Sequence, residues 1–326
     1  MAEKQSAGRE ALVETEAVSF FDRETGPFFR KVDWNAFWTT FIISLGAYWY
    51  TLAPTVTLED SGELAVASDY LGVPHPPGYP IWSLLTWFFQ WIFGWVRYNG
   101  NPNPAWGVGF SSAVFGAASC AVLAILISRS GADMLRSMKR ATDVLGLKTE
   151  ALICWVGGVT GGLLFAFSPV LWSQSVIVEV YSLNALFLSL IILLTYRWMC
   201  RPREDYLLYL TAFLFGLGFT NHQSIVFAGL GLAAAIWFRD RRLFRDCMAA
   251  GCLAIAGYLM WKASLLKGPL PDAALRQKQL TVMMSLVFLI SPAGLFLIER
   301  RLFTEWKRVT IIVASLLLGL SFYAYL

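Results

Sequence analysis

GVGFSSAVFGAASCAVLAILIS, residues 107–128, runs for 22 residues without a charged side chain and is followed at once by Arg129. A helix of about 20 apolar residues crosses a hydrocarbon core about 30 Å thick, so this stretch reads as a membrane span. Outward from it, further runs able to cross lie near residues 35–54, 81–96, 151–168, 180–199, 206–220, 223–238, 246–261, 280–298 and 309–326. No fixed-period repeat divides them, which leaves one continuous membrane domain. Composition agrees: 57% of residues are hydrophobic, 15% are charged and the mean hydropathy is +0.56. Soluble domains average roughly 45–50% apolar and about 25% charged. The expectation is an all-α polytopic membrane protein with about nine or ten transmembrane helices at 34–326, after an amino-terminal segment at 1–33.

That amino-terminal segment carries scattered charges and no apolar core before a small-residue cleavage site, so the first span is expected to serve as an uncleaved anchor. Cys120, Cys154, Cys200, Cys247 and Cys252 lie in apolar segments or beside basic loops, with no CxxC pair, which argues against a disulfide framework or a cysteine-ligated metal. Basic residues fall in short connections: five in the amino-terminal segment, five at 129–150, three at 197–205, four at 239–245 and four at 300–308. The connections at 55–80, 169–179 and 221–222 hold none. Positive loops stay cytoplasmic, so the segment 1–33 is expected inside and those three connections outside. The same bias accounts for the net charge of +4 without invoking nucleic acid. Two places resist the scheme. If 81–96 and 107–128 both cross, the basic 129–150 connection lands outside, which suggests that 81–96 is short, tilted or re-entrant. The outward connection at 262–279 also carries Lys262, Lys267, Arg276 and Lys278.

The first outer loop, 54–80, contains Glu59, Asp60 and Glu63, and then His75-Pro-Pro-Gly-Tyr-Pro80. Three carboxylates within five residues at the edge of a low-dielectric slab need partners or a use, and one with a raised pKa could take a proton from a hydroxyl nucleophile. A structural reading competes: Asp60 as N-cap with Glu63 at the third helical position makes an acidic capping box for a short helix that presents Leu64, Ala67 and Leu71 on one face and ends at Gly72. Both readings stay open at this point. The prolines around His75 likewise suit a rigid helix entry. Glu179 and Tyr181 stand where another apolar run begins, and Asn221 and His222 occupy a connection of almost no length. Inter-helix hydrogen bonding is the plain account of each, yet three connections placed on one face by charge hold nearly all the non-basic polar residues.

Several functions lack their signatures. No GxxxxGK[ST] loop or strand-borne GxGxxG is present. With only His75 and His222, and no HExxH, a histidine-rich zinc site is excluded. No metal ligand set and no required cofactor are expected. Gly157, Gly158, Gly161 and Gly162 put small residues one turn apart, which suits close helix packing.

Asp60-Ser-Gly-Glu-Leu64, Leu71-Gly72 with His75 to Pro80, Glu179-Val-Tyr-Ser-Leu183 and Thr220-Asn-His-Gln223 together resemble the blocks of a bacterial domain-of-unknown-function family of GT-C-type membrane glycosyltransferases. That family is related to an animal endoplasmic-reticulum protein O-mannosyltransferase. The resemblance covers residues 35–326. It implies a GT-C-like bundle with a catalytic first outer loop and a polyprenyl-phosphate hexose donor, mannose foremost. It further implies transfer outside the cytoplasm of a bacterial inner membrane to a protein or glycan hydroxyl, such as Ser or Thr of an exported protein. It places the catalytic acids at Asp60 and Glu63, and the matched blocks put His75, Tyr79, Glu179, Tyr181, Asn221 and His222 at the substrate. The departing phosphate wants a cation, a role available to Lys262, Lys267, Arg276 or Lys278. Family members usually continue past the Tyr-Ala-Tyr-Leu ending into more spans and an outward soluble region, so the chain is expected to be a fragment or a reduced member. The rival functions are a lipid-linked-sugar transporter or flippase, which would place its polar groups near the bilayer midplane, and a non-catalytic subunit of a larger membrane complex.

Overall fold

In the computed structural model, the apolar run that opened the sequence reading becomes the middle of α4 (Pro104–Ser137), around which the first part of the chain is assembled. The structure describes residues 27–57, 59–138, 146–266, 271–295, 301 and 303–325. Before α4 come α1 (Lys31–Tyr50), α2 (Ser61–Asp69), α3 (Pro80–Ile92) and a two-stranded hairpin, Arg97–Tyr98 with Asn101–Pro102. After it come α5 (Leu147–Ala166), α6 (Pro169–Ser175), α7 (Tyr181–Cys200), α8 (Asp205–Phe219), a 3-10 turn at Gln223–Ile225 and α9 (Val226–Arg239). Then follow α10 (Arg241–Leu265), α11 (Asp272–Gly294) and α12 (Trp306–Leu320). Each apolar run expected from the sequence coincides with a helix. Among the described residues, five helical stretches are both long and apolar enough to cross a membrane: 104–137, 147–166, 181–200, 241–265 and 306–324. The chain is an all-α membrane protein.

The helices fall into two units, Met1–Gly229 with Ser315–Leu326 and Leu230–Ala314. In the first, α4 is the central helix: 67% of its apolar window is buried in protein, against 28% for α5 and 39% for α7. Its small residues explain why. Gly107, Ser112, Ala113, Gly116, Ala117 and Ala124 let α1, α3, α5 and α7 approach its backbone closely. The glycine pattern of α5 is the reciprocal surface. A Cβ on Gly158 would lie 2.7 Å from the carbonyl oxygen of Ala124, and one on Gly162 would lie 2.7 Å from Thr40 Cγ2. In the second unit α10 and α11 pair, with Ser285 Oγ donating to Ala256 O, and Asp246 accepts from Arg245 and from the backbone N–H groups of Phe303 and Glu305.

The run at 81–96 is the 13-residue α3, about 20 Å long at 1.5 Å per residue, and it falls short of the hydrocarbon core. It lies against α2: Ser68 and Thr86 hydroxyls are 2.8 Å apart, and Gln90 Nε2 donates to Ala65 O at 3.3 Å. The start of α4 then returns to the end of α1, where Asn103 Nδ2 donates to Pro54 O at 2.7 Å and Thr55 Oγ1 donates to Asn103 Oδ1 at 3.2 Å. The chain thus leaves and re-enters at one end of the bundle. The segment expected as a loop at 54–80 extends to Asn103, and with one crossing fewer 129–150 comes to the opposite end.

That opposite end is basic. Arg30 pairs with Asp33 at 2.8 Å and with Glu150 at 3.1 Å, while Ser128 Oγ donates to Asp33 at 2.6 Å. Tyr196 OH donates to Asp133, and Arg197 and Arg201 both pair with Glu204. The starts of α1, α5 and α8 and the ends of α4 and α7 therefore share one end. The connections at 51–103, 167–180 and 220–225 share the other.

Candidate functional site

The short segment between α6 and α7, residues 176–180, organises the non-basic end because each neighbouring connection bonds to its backbone. Ala53 N–H donates to Val176 O at 2.9 Å, and Ser61 Oγ donates to Val178 O at 3.4 Å. Glu179 O accepts from Trp82 Nε1 at 3.2 Å and from Ser112 Oγ at 3.1 Å, and Val180 O accepts from Asn221 Nδ2 at 3.2 Å. The loop is thereby tied to α2, α3, α4 and the end of α8. Neither Trp82 nor Ser112 is singled out for the site by the sequence. Both are fully buried, and a buried indole N–H or hydroxyl needs an acceptor, which is the one signal that could have found them.

Asp60 and Glu63 come with α2, and neither caps it. The Asp60 carboxylate makes no hydrogen bond to the first turn, and Glu63 turns instead to the His75 segment. The capping-box reading is corrected accordingly: a better partner, His75, competes for Glu63. Its Oε1 accepts from the His75 backbone N–H at 2.7 Å, and its Oε2 lies 3.2 Å from His75 Nδ1. These two bonds hold the Glu63 carboxyl below the usual range. A carboxylate facing Nδ1 favours the Nδ1–H tautomer, which leaves Nε2 as acceptor for the Tyr79 hydroxyl at 3.0 Å. Asp60 Oδ2 is 4.0 Å from the same Nε2. The helical face expected for α2 holds, with Leu64 and Ala67 buried, although the helix ends at Asp69, before Leu71 and Gly72.

The expected Pro-led helix entry is present, with Pro80 opening α3. Tyr79 before it sits in the left-handed region at φ 48°, as does Glu59 at φ 64°. Side chains there cost about 1–2 kcal/mol each, and at Tyr79 the bond to His75 Nε2 and the His222 ring hold the conformation. The Tyr79 ring stacks parallel to His222 at 6.5 Å between centroids, and Tyr181 meets the other ring at 5.2 Å. His222 Nδ1 is fixed by Ser224, whose hydroxyl also accepts from Asn184 Nδ2. Burial pushes the His222 imidazole down, favouring its neutral form.

Glu179 is 4% exposed. Burial pushes its carboxyl above the usual range. The Val180 N–H donated to its Oε2 at 3.1 Å opposes this, and the neighbouring Glu59 and Asp60 carboxylates add to it. Burial likewise raises the Tyr79 phenol, helped by Tyr181, Glu179, Asp60 and Glu63. Three connections far apart in sequence thus bring four carboxylates, two imidazoles and two phenols to one place. A neutral hydroxyl or an electron-poor carbon suits such a site.

Asp60, Glu63 and His75 also present ligand atoms within 4.8 Å of one another, two oxygens and a nitrogen of the kind that hold hard divalent cations. The expectation of no metal ligand set weighed histidines and cysteines and did not foresee this mixed carboxylate–histidine cluster. Here the His75 nitrogens are occupied by Glu63 and Tyr79, while Asp60 Oδ2 stays 4.0 Å from Nε2. Of the basic residues considered for a phosphate, Lys262, Arg276 and Lys278 belong to the second unit, where Lys278 Nζ donates to Leu266 O at 2.8 Å. Lys267 lies outside the described residues.

Comparison with known proteins places this arrangement in context. The sequence profile of the protein O-mannosyl-transferase TMEM260 N-terminal domain matches residues 60–244, a stretch holding all eight candidate residues from Asp60 to His222. The protein O-mannosyl-transferase tmem260 of Dictyostelium discoideum is 26% identical over 212 residues, 60% of this chain and 22% of its own length. The protein O-mannosyl-transferase TMEM260 of Mus musculus is 30% identical over 193 residues, 58% of this chain and 24% of its own. The chain therefore spans about a quarter of the length of these relatives. No solved structure matches it.

Proposed function

Because the chain belongs to the TMEM260 N-terminal domain family, we propose that it carries the catalytic membrane part of a GT-C-type glycosyltransferase that moves mannose from a polyprenyl-phosphate donor to a protein hydroxyl. One observation carries the reading: among the described residues of the first unit, Asp60, Glu63, His75, Tyr79, Glu179 and His222 converge at the end without clustered Lys and Arg. By the positive-inside bias that end faces away from the cytoplasm. A donor whose lipid tail stays in the bilayer can present its sugar there.

In the reaction the acceptor oxygen attacks the anomeric carbon while its proton passes to Asp60. The carbon–oxygen bond to phosphate breaks, and polyprenyl phosphate leaves as a stable anion that needs no protonation. Glu63 holds His75, and His75 holds Tyr79, so the wall facing Asp60 is fixed before substrate arrives. The stacked Tyr79 and His222 rings, with Tyr181 tilted against His222, offer an apolar face to the sugar ring. Glu179 can bond sugar hydroxyls and, in its ionised form, answer the positive charge that develops at the anomeric carbon. Radiolabel transfer from polyprenyl-phosphate mannose in membranes containing the protein tests the reading. Product formation that is lost in Asp60→Asn supports it, whereas binding or movement of the lipid-linked sugar without product would favour a flippase.

A further inference from the structure

The donor site does not use the other end of α2. There the helix, the carboxyl end of α3 and the residues leading into α4 enclose a cleft of about 340 Å³, lined among others by Asp69, Trp87, Gln90, Trp91 and Asn103. That volume lies within the range of small-ligand sites, and the lining is a combination with a specific chemical meaning. Trp87 and Trp91 stand one helical turn apart on α3 and keep 39% and 70% of their surface exposed. Asp69 presents an exposed carboxylate, and among the described residues nothing is shown bonded to it. Gln90 is 6% exposed; its Nε2 donates to Ala65 O, while its Oε1 has no hydrogen-bond partner. The Asn103 amide, by contrast, is spent on both sides, on Pro54 and Thr55. A buried amide oxygen with no partner at a cleft calls for a donor from outside the protein.

Indole faces beside a carboxylate and an amide fit a ring with one apolar C–H face and a rim of hydroxyls. We infer that this cleft is a second carbohydrate subsite, which takes a neutral hexopyranose: Trp87 and Trp91 pack its C–H face, and Asp69 and Gln90 accept from its hydroxyls. Asp60 and Asp69 lie nine residues apart in sequence, about 13 Å along the helix, too far for one sugar to bridge. The cleft therefore holds a sugar that is not being transferred. Resting on the proposed function, the sugar belongs to the acceptor side, as a hexose already attached to it.

The test is saturation-transfer NMR on the full chain in nanodiscs, with methyl α-mannopyranoside as the soluble probe and a mannosylated lipid as the membrane-borne one. Ring-proton transfer is expected in the wild type and should weaken about tenfold or more in Asp69→Asn and Trp91→Ala, with partial recovery in Trp91→Phe. Circular dichroism and gel filtration confirm that each variant is folded. A response to the soluble mannoside identifies an acceptor glycan as the source, and a response to the lipid alone identifies a glycolipid headgroup. Transfer signals equal to wild type in both Asp69→Asn and Trp91→Ala, or none in the wild type with either probe, overturn the subsite. Loss of the subsite with mannose transfer intact leaves the proposed function standing, whereas cleft binding without any transfer activity refutes that function and leaves the subsite.

Discussion

Asp60→Asn separates a chemical role from a structural one because the structure has removed the structural alternative. Had Asp60 capped α2, its loss would matter at the level of about 0.5–2 kcal/mol, and Asn would replace it at little cost. Its carboxylate makes no cap bond, and its side chain is 60% exposed, so the exchange should leave thermal stability within about 0.5 kcal/mol of wild type. An amide cannot accept a proton as a general base near neutral pH. Loss of that role costs about 10² to 10⁴ in turnover, or about 2.7–5.4 kcal/mol in barrier at 1.36 kcal/mol per tenfold step. Glu63→Gln should do less, since it weakens the two bonds that orient His75 without removing the base. The assay is radiolabelled mannose transfer in membranes, paired with a fluorescence-detected melting curve of the same preparations. Near-normal transfer by Asp60→Asn at unchanged melting temperature refutes the assignment and moves the base to Glu179.

Bundle packing predicts a contrast within one glycine pattern: Gly158→Val pushes side-chain atoms against the Ala124 carbonyl and should destabilise by about 1–3 kcal/mol, whereas Gly157→Ala meets nothing within 4 Å and should be neutral or stabilising by up to about 1 kcal/mol in a detergent melt. Topology is checked by thiol labelling on a cysteine-free background: Gly62→Cys and Gln223→Cys, both exposed at the site end, should label from one side of the membrane and Ser137→Cys from the other, and a common side for all three contradicts the two-ended arrangement. For Glu179 the folded pKa lies above the ordinary 4.5, so its ionisation opposes folding once the pH rises through the folded value and has no effect below about 4.5. Glu179→Gln should therefore melt higher than wild type at pH 7, and the two should converge in acid; equal melting temperatures across that range would contradict the buried environment. Glu63 has the opposite sign: its pKa is depressed, so its contribution is present above 4.5 and disappears as the pH falls through the folded value, a loss that Glu63→Gln should not show.

The helices were legible in the sequence because the requirement is one-dimensional: a helix in lipid must be apolar over its length, and each apolar run became a helix, although among the described residues five stretches, not nine or ten, are long and apolar enough to cross. Of the shorter helices, α3 was flagged by charge before any geometry, since a full crossing there would have put the five basic residues of 129–150 on the wrong side. What charge could not supply was where α3 goes instead. That is decided by contacts between residues far apart in sequence, Gln90 with Ala65 and Asn103 with Pro54, which no local pattern announces. The site divides in the same way. Its acidic members were visible as residues costly to place at a membrane edge, whichever partners they found. The error concerned Glu63, where spacing favoured a local cap over a histidine twelve residues away. Local spacing records what a side chain can reach within its own helix, and it is silent on what the returning chain brings to it. Trp82 and Ser112 were missed for the converse reason: their apolar or small side chains fit the spans they sit in, and only the carbonyl of Glu179 arriving opposite them reveals why polar atoms are there. A polar atom inside an otherwise apolar span is thus the point at which sequence reading should ask for a partner from another connection. In this chain, following that question from Trp82 and Ser112 leads to Glu179, a carboxylate that burial has pushed up.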